Sequence, residues 1–161
     1  MDVLDLDWSP RGYLASGSID NKILIWDVPS LKRKLNESAP YSGNSTQYHS
    51  LSAVLTPVQT LTKHSSFVKG ISFDPIGKYL ASCGSDNMVI IWDCDNWSEV
   101  QSLSEPMEGI ADRSIFRRMS WAPDGSSLCI SSATKSSKPV GMVLRRGTWE
   151  STVGVFLNSR T

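Results

Sequence analysis

The sequence predicts an all-β chain assembled from about three copies of one four-stranded unit. Two observations carry this. Within Phe67 to Asp93, FVKGISFDPIGKYLASCGSDNMVIIWD, the runs Tyr79-Leu80-Ala81-Ser82-Cys83 and Met88-Val89-Ile90-Ile91-Trp92 flank a Gly84-Ser85-Asp86-Asn87 turn. β-Branched and aromatic runs bounded by Gly, Ser, Asp and Asn read as strands joined by a tight turn. An apolar stretch ending in Asp74-Pro75-Ile76-Gly77 supplies a third strand and a second turn. The second observation is that two other segments can be laid against this one almost residue by residue.

The first of them opens the chain. Val3-Leu4-Asp5-Leu6-Asp7-Trp8 alternates apolar and acidic residues before Ser9-Pro10-Arg11-Gly12, the pattern of a half-buried strand of period two. Trp8, Pro10 and Gly12 match Phe73, Pro75 and Gly77 at an offset of 65. After a one-residue gap opposite Lys78, Tyr13-Leu14-Ala15-Ser16 matches Tyr79-Leu80-Ala81-Ser82. Asp20-Asn21 then matches Asp86-Asn87, and Ile25-Trp26-Asp27 matches Ile91-Trp92-Asp93. The run from Pro29 to Pro57 has little periodicity and predicts a long surface insertion without fixed structure. Order resumes at Val58-Gln59-Thr60-Leu61, a short strand leading to Lys63-His64.

In the last segment Trp121, Pro123 and Gly125 match Phe73, Pro75 and Gly77 at an offset of 48, but the Asp-containing turn and the terminal Trp-Asp are missing. A polar loop, Thr134 to Pro139, is expected in their place. It precedes a strand at Val140 to Leu144, then Arg145-Arg146-Gly147-Thr148-Trp149 and a closing apolar run, Val153 to Leu157. The units are therefore 1–62 with an insertion at 29–57, 63–104, and a divergent 105–157.

Length and composition fit a globular piece with a real core. Sixteen basic and sixteen acidic side chains cancel, so the field of a nucleic-acid or membrane-surface binder is absent on average. The acidic start Met1-Asp2-Val3-Leu4-Asp5 does not resemble a signal peptide, and no apolar run approaches a membrane span of about 18 residues. These features place the chain in the cytosol or nucleus. Cys83, Cys94 and Cys129 lack CxxC spacing and are expected to be buried free thiols rather than metal ligands.

Four-stranded repeats of about 40 to 45 residues ending in Trp-Asp are the signature of a WD40 β-propeller, and insertions account for the longer offsets seen here. Three such blades are too few to close a ring, so an open propeller fragment is expected. Apolar faces on its terminal blades should make the isolated chain aggregate or fold loosely. In the central unit His64, Ser82, Asp86 and Trp92 match the hydrogen-bond tetrad of the WD40 family. Ser16, Asp20 and Trp26 match in the first unit, which has no histidine. The third unit lacks the Asp and Trp, and Lys63 replaces the glycine usual before the family's histidine.

The order of motifs narrows the family. Val68 to Tyr79, Asn96-Trp97, Phe116-Arg117-Arg118-Met119-Ser120-Trp121-Ala122-Pro123-Asp124-Gly125 and Val143-Leu144-Arg145-Arg146-Gly147-Thr148-Trp149 resemble HIRA-type histone chaperones. The resemblance covers nearly the whole chain outside 29–57. It implies replication-independent nucleosome assembly and transcriptional repression in the nucleus. The partners implied are other chaperone subunits and core histones, with no cofactor, small-molecule substrate, membrane or direct nucleic-acid ligand. The WD40 subunit of chromatin assembly factor resembles the central blade almost as well, and a generic WD40 adaptor is a further alternative.

Chemistry was weighed on the residues themselves. Ser82, His64 and Asp86 have the residue types of a hydrolase triad, but no G-x-S-x-G elbow exposes a nucleophile and Ser82 lies within an apolar strand pattern. No catalytic residue is therefore expected. Arg117-Arg118 and Arg145-Arg146 are the candidate partner-binding residues, because guanidinium groups suit carboxylate-rich partners. Solvated or snorkelling arginines at a blade edge are the plainer alternative. Trp97 and Trp149 are expected to pack between blades.

Overall fold

The computed structural model describes residues 2–38, 56–104, 116–135 and 138–156. Twelve strands form three antiparallel four-stranded meanders. The first sheet holds β1 (Val3–Trp8), β2 (Tyr13–Ser18), β3 (Ile23–Asp27) and β4 (Gln59–Leu61). The second holds β5 (Val68–Phe73), β6 (Tyr79–Gly84), β7 (Val89–Asp93) and β8 (Glu99–Leu103). The third holds β9 (Met119–Trp121), β10 (Ser127–Lys135), β11 (Lys138–Arg145) and β12 (Ser151–Phe156). These are three WD40 blades, and they do not close a ring.

The repeated turn residues have repeated backbone jobs. Gly12, Gly77 and Gly125 sit at φ of 88, 74 and 71° after the first strand of each blade, where a side chain would be strained. Each closes its turn by donating to the carbonyl three residues back, on Ser9, Asp74 and Ala122. The first loop is one residue shorter. The Ser9 N–H meets the Tyr13 carbonyl, whereas Asp74 meets Tyr79 and Ala122 meets Ser127, which explains the gap opposite Lys78. Asn21 and Asn87 take positive φ in the second turn of their blades, a conformation asparagine tolerates better than most residues.

The core lies in the two seams between blades. Ala15, Ile23 and Ile25 of the first blade pack against Ile71, Phe73, Leu80, Ile90 and Trp92 of the second. Ala81, Cys83, Val89 and Ile91 turn the opposite way, against Met119, Trp121, Leu128 and Ile130 of the third. The central sheet is thus covered on both faces, which is why β7 is apolar without alternation. The matched inner-strand positions report the same direction. Phe73 and Trp121 are 6% and 9% exposed against the preceding blade, whereas Trp8 is 58% exposed and Leu6 57%. Burying such a side chain contributes about 1.5–3 kcal/mol, so the first blade has an unfilled apolar face.

Three expectations are corrected. The insertion expected to lack fixed structure begins with a helix, α1 (Val28–Ser38). The Asp27 carboxylate caps it, accepting from the Ser30 N–H at 3.1 Å and the Ser30 hydroxyl at 2.6 Å, and Pro29 lies in the first turn, where no donor is needed. Residues 39–55 of the insertion lie outside the described residues. The polar loop at 134–139 is largely strand, since Thr134 pairs with Pro139 and Lys135 with Lys138 across the β10–β11 hairpin. Of the cysteines, Cys83 and Cys94 are buried and Cys129 is exposed. Cys129 lies on the face of β10 opposite the buried Leu128 and Ile130.

Candidate functional site

Four tetrad-matched residues of the second blade meet inside the protein. His64 Nδ1 is 2.8 Å from Asp86 Oδ2 and its Nε2 is 2.8 Å from Ser82 Oγ. The Trp92 indole N–H donates to the same hydroxyl at 2.9 Å. An ionised Asp86 accepts only, so Nδ1 carries the proton, Nε2 accepts from the Ser82 O–H, and the Ser82 oxygen accepts from Trp92. Burial pushes the Asp86 carboxyl up, but the His64 hydrogen bond and charge and the N–H groups of Ser65 and Met88 outweigh it. The carboxyl therefore titrates below its ordinary range. Ser82 is fully buried, with its hydroxyl committed on both sides, so it is not presented to a substrate.

The first blade carries a reduced version. The Trp26 indole donates to Ser16 Oγ at 3.2 Å, while Asp20 accepts from the Lys22 N–H within its own turn. Asn21 crosses to the Ser65 carbonyl beside His64 at 3.3 Å.

The four candidate arginines do not converge. Arg117 is 2% exposed and reaches back into the second blade, donating to the Gly84 carbonyl at 2.9 Å and to Asn87 Oδ1 at 3.1 Å. Arg146 donates to Asp74 Oδ2 at 2.6 Å and to the Gly125 carbonyl at 3.1 Å, and its guanidinium lies 4.7 Å from the centre of the Tyr79 ring. Arg118 and Arg145 are exposed. Strand parity separates them. Arg117 shares a face of its strand with Met119 and Trp121, and Arg146 shares one with Leu144, whereas Arg118 and Arg145 point the other way.

Further contacts not anticipated from the sequence hold the seams. The Ile71 and Phe73 N–H groups, on the edge of β5 turned away from β6, donate to Asp5 Oδ2 at 2.9 Å and Asp7 Oδ2 at 2.6 Å. Side chains thus satisfy an edge that would otherwise be unpaired. Arg11 reaches Asp95 of the second blade at 2.6 Å, and Lys78 joins the same carboxylate at 2.6 Å. Trp97 and Trp149 occupy equivalent turns at φ of 60 and 58°, each donating its N–H to the carbonyl four residues back. Each indole meets a tyrosine of the preceding blade edge-on: Tyr13 with Trp97 at 5.3 Å, and Tyr79 with Trp149 at 5.1 Å.

At the end of the sheets opposite the His64–Asp86 turn, the three inner strands and their turns line an open groove of about 460 Å³. Equivalent residues of all three blades contribute, including Trp8 and Pro10, Phe73 and Pro75, and Trp121 and Pro123. No group of metal-ligating side chains occurs among the described residues.

The model of the WD domain, G-beta repeat family matches residues 1–27 and 55–93, the first two blades. The chain is 33% identical to Protein HIR1 of Cryptococcus neoformans over 161 residues, 99% of this chain and 16% of that protein. It is 38% identical to Protein HIRA of Caenorhabditis elegans over 152 residues, 94% of this chain and 14% of that protein. It is 27% identical to Protein hir1 of Schizosaccharomyces pombe over 191 residues, 96% of this chain and 20% of that protein. The chain thus spans about one-sixth of the length of such relatives. Two family-matched blades, a third stacked on them, and relatedness extending across that third blade agree on one assignment: the chain belongs to the HIRA/HIR1 family of WD40-repeat proteins.

Proposed function

We propose that this chain serves as the WD40 scaffold of a histone chaperone that assembles nucleosomes independently of replication and represses transcription in the nucleus, binding other chaperone subunits and core histones. One observation carries the reading. Relatedness to HIR1 and HIRA proteins runs through the third blade, which the general WD-repeat model does not match. That blade holds the Phe116-Arg117-Arg118 strand and the Arg145-Arg146-Gly147-Thr148-Trp149 turn. The geometry supports a platform rather than an enzyme, because the tetrad residues are buried and mutually satisfied.

Within this reading the arginines divide by position. Arg117 and Arg146 join the second and third blades, while Arg118 and Arg145 are free to meet an acidic partner. The test is affinity purification of the tagged full-length protein from nuclear extract. Recovery of histones with chaperone subunits is expected, and Arg118→Glu with Arg145→Glu should weaken recovery while the fold is retained. Recovery of neither class overturns the proposal, and recovery of replication-coupled assembly subunits alone favours the chromatin-assembly-factor alternative.

A further inference from the structure

We infer that the groove at the turn end of β1, β5 and β9 is a docking site for a basic peptide segment, which rests apolar side chains on Trp8, Pro10 and Pro75 and brings a lysine or arginine to Asp7. This deepens the scaffold reading and rests on it. The groove is open along one side, and its rim prolines Pro10, Pro75 and Pro123 are exposed. Its volume, about 460 Å³, falls within the range of about 300–1,000 Å³ that accommodates ligands. Openness favours an extended chain laid along it over an enclosed small molecule.

Charge selects the occupant. Two carboxylates line the groove, Asp7 and Asp74. Asp74 is fully buried and is neutralised by Arg146 at 2.6 Å. Asp7 accepts N–H groups, from Phe73 at 2.6 Å among them, but has no ion-pair partner among the described residues. Asp5 stands two residues away on the same strand and likewise lacks a cation. The cation nearest in the lining is Arg118, which shares the adjoining cleft with Asp5 and Asp7 without pairing to either, so two negative charges face one positive. Burial pushes the Asp7 carboxyl up, its two N–H contacts pull it down by less, and the Asp5 charge adds to the rise. A carboxylate kept half-buried with no counter-ion favours an incoming ammonium or guanidinium.

The test pans a random 12-residue phage library against the full-length protein, then titrates the selected peptides against wild type, Asp7→Asn, Trp8→Ala and the distant control Asp20→Asn. Asparagine keeps an acceptor for the Phe73 N–H while removing the charge, and circular dichroism checks that each variant is folded. The expected result is enrichment of lysine or arginine beside an apolar residue. Binding should fall at least tenfold in Asp7→Asn, weaken in Trp8→Ala and with added salt, and remain unchanged in Asp20→Asn. Selection without basic enrichment, or equal binding by folded Asp7→Asn, overturns the inference. If that occurs while affinity purification still recovers histones and chaperone subunits, the groove proposal fails and the scaffold reading stands. Loss of both places the failure in the scaffold reading.

Discussion

Replacing Ser82 with alanine removes one oxygen but orphans two buried groups. The Trp92 indole N–H loses its 2.9 Å acceptor and His64 Nε2 loses its 2.8 Å partner, in residues that are both 4% exposed and beyond the reach of replacement water. An unsatisfied buried polar group costs about 1–3 kcal/mol, so the pair is worth roughly 2–4 kcal/mol after some relaxation. Ser16→Ala is the internal control, because Ser16 matches Ser82 but accepts only from Trp26, at 3.2 Å, and Trp26 is partly exposed. Its loss should cost about 1 kcal/mol or less, since the freed N–H can meet solvent. The assay is urea unfolding of the full-length protein, with hydrogen exchange of β6 and β7 against β2 and β3 to localise the effect. Equal destabilisation by the two substitutions would refute the claim that the histidine-linked network, rather than the hydroxyl alone, is what Ser82 holds together. A change in activity without destabilisation would restore the hydrolase alternative.

Three other outcomes follow from the seams. Gly70→Ala should yield little soluble protein, because a Cβ there would overlap the Arg117 carbonyl, whereas Gly147→Ala meets no neighbour and should express with only the strain of its positive φ. Solubility of the two variants after expression checks this. Arg146→Met should cost about 3–5 kcal/mol by urea unfolding, since it leaves the fully buried Asp74 carboxylate without its cation. Asp7 and Asp86 should shift stability in opposite directions with pH. Asp7 titrates above its unfolded value near 3.8, so its charge disfavours the fold increasingly as pH rises from there through its folded pKa. Asp86 titrates below 3.8, so the stability it supplies is full above that value and is lost as pH falls through its folded pKa. The pH profiles of the urea midpoints of Asp7→Asn and Asp86→Asn, each compared with wild type, should therefore slope oppositely.

The blades were legible in the sequence because their determinants are local: period-two alternation, a glycine at each positive-φ turn, and matched Asp-Asn pairs between strands. The tetrad residues were legible for the same reason, as equivalent positions in two repeats. The fates of the arginines were also written there, though in parity rather than in residue type. Arg117 alternates in phase with Met119 and Trp121, so whatever buries them buries it, and Arg118 is out of phase. The Asp5 and Asp7 contacts were not legible, because alternating carboxylates look solvated until the neighbouring edge of β5 is known. The capped start of α1 was hidden by the aperiodic run that follows it. The charge pairs between turns, Arg11 with Asp95 and Asp74 with Arg146, depend on which blades are neighbours, and residue spacing within one unit does not encode that.

The third blade bears on how a repeat can lose its signature and keep its fold. At the positions of Ser82 and Trp92 it carries Ile130 and Leu144, each 1% exposed and packed in the seam with the second blade. The network has been replaced on both sides at once, so no donor or acceptor is stranded, and replacing both partners with apolar groups is close to neutral. Single losses from the second blade are expensive for the opposite reason, since each leaves the remaining members buried without partners. Contacts across the seam then supply what the tetrad does elsewhere. Arg146 reaches Asp74, Trp149 meets Tyr79, and the Trp121 indole donates to the Ser72 carbonyl at 3.1 Å. All three tie the third blade to the second rather than to itself, so its order should be the first lost when the seam is broken. Hydrogen exchange in Arg146→Met should therefore rise in β9 and β10 before it rises in β6 and β7.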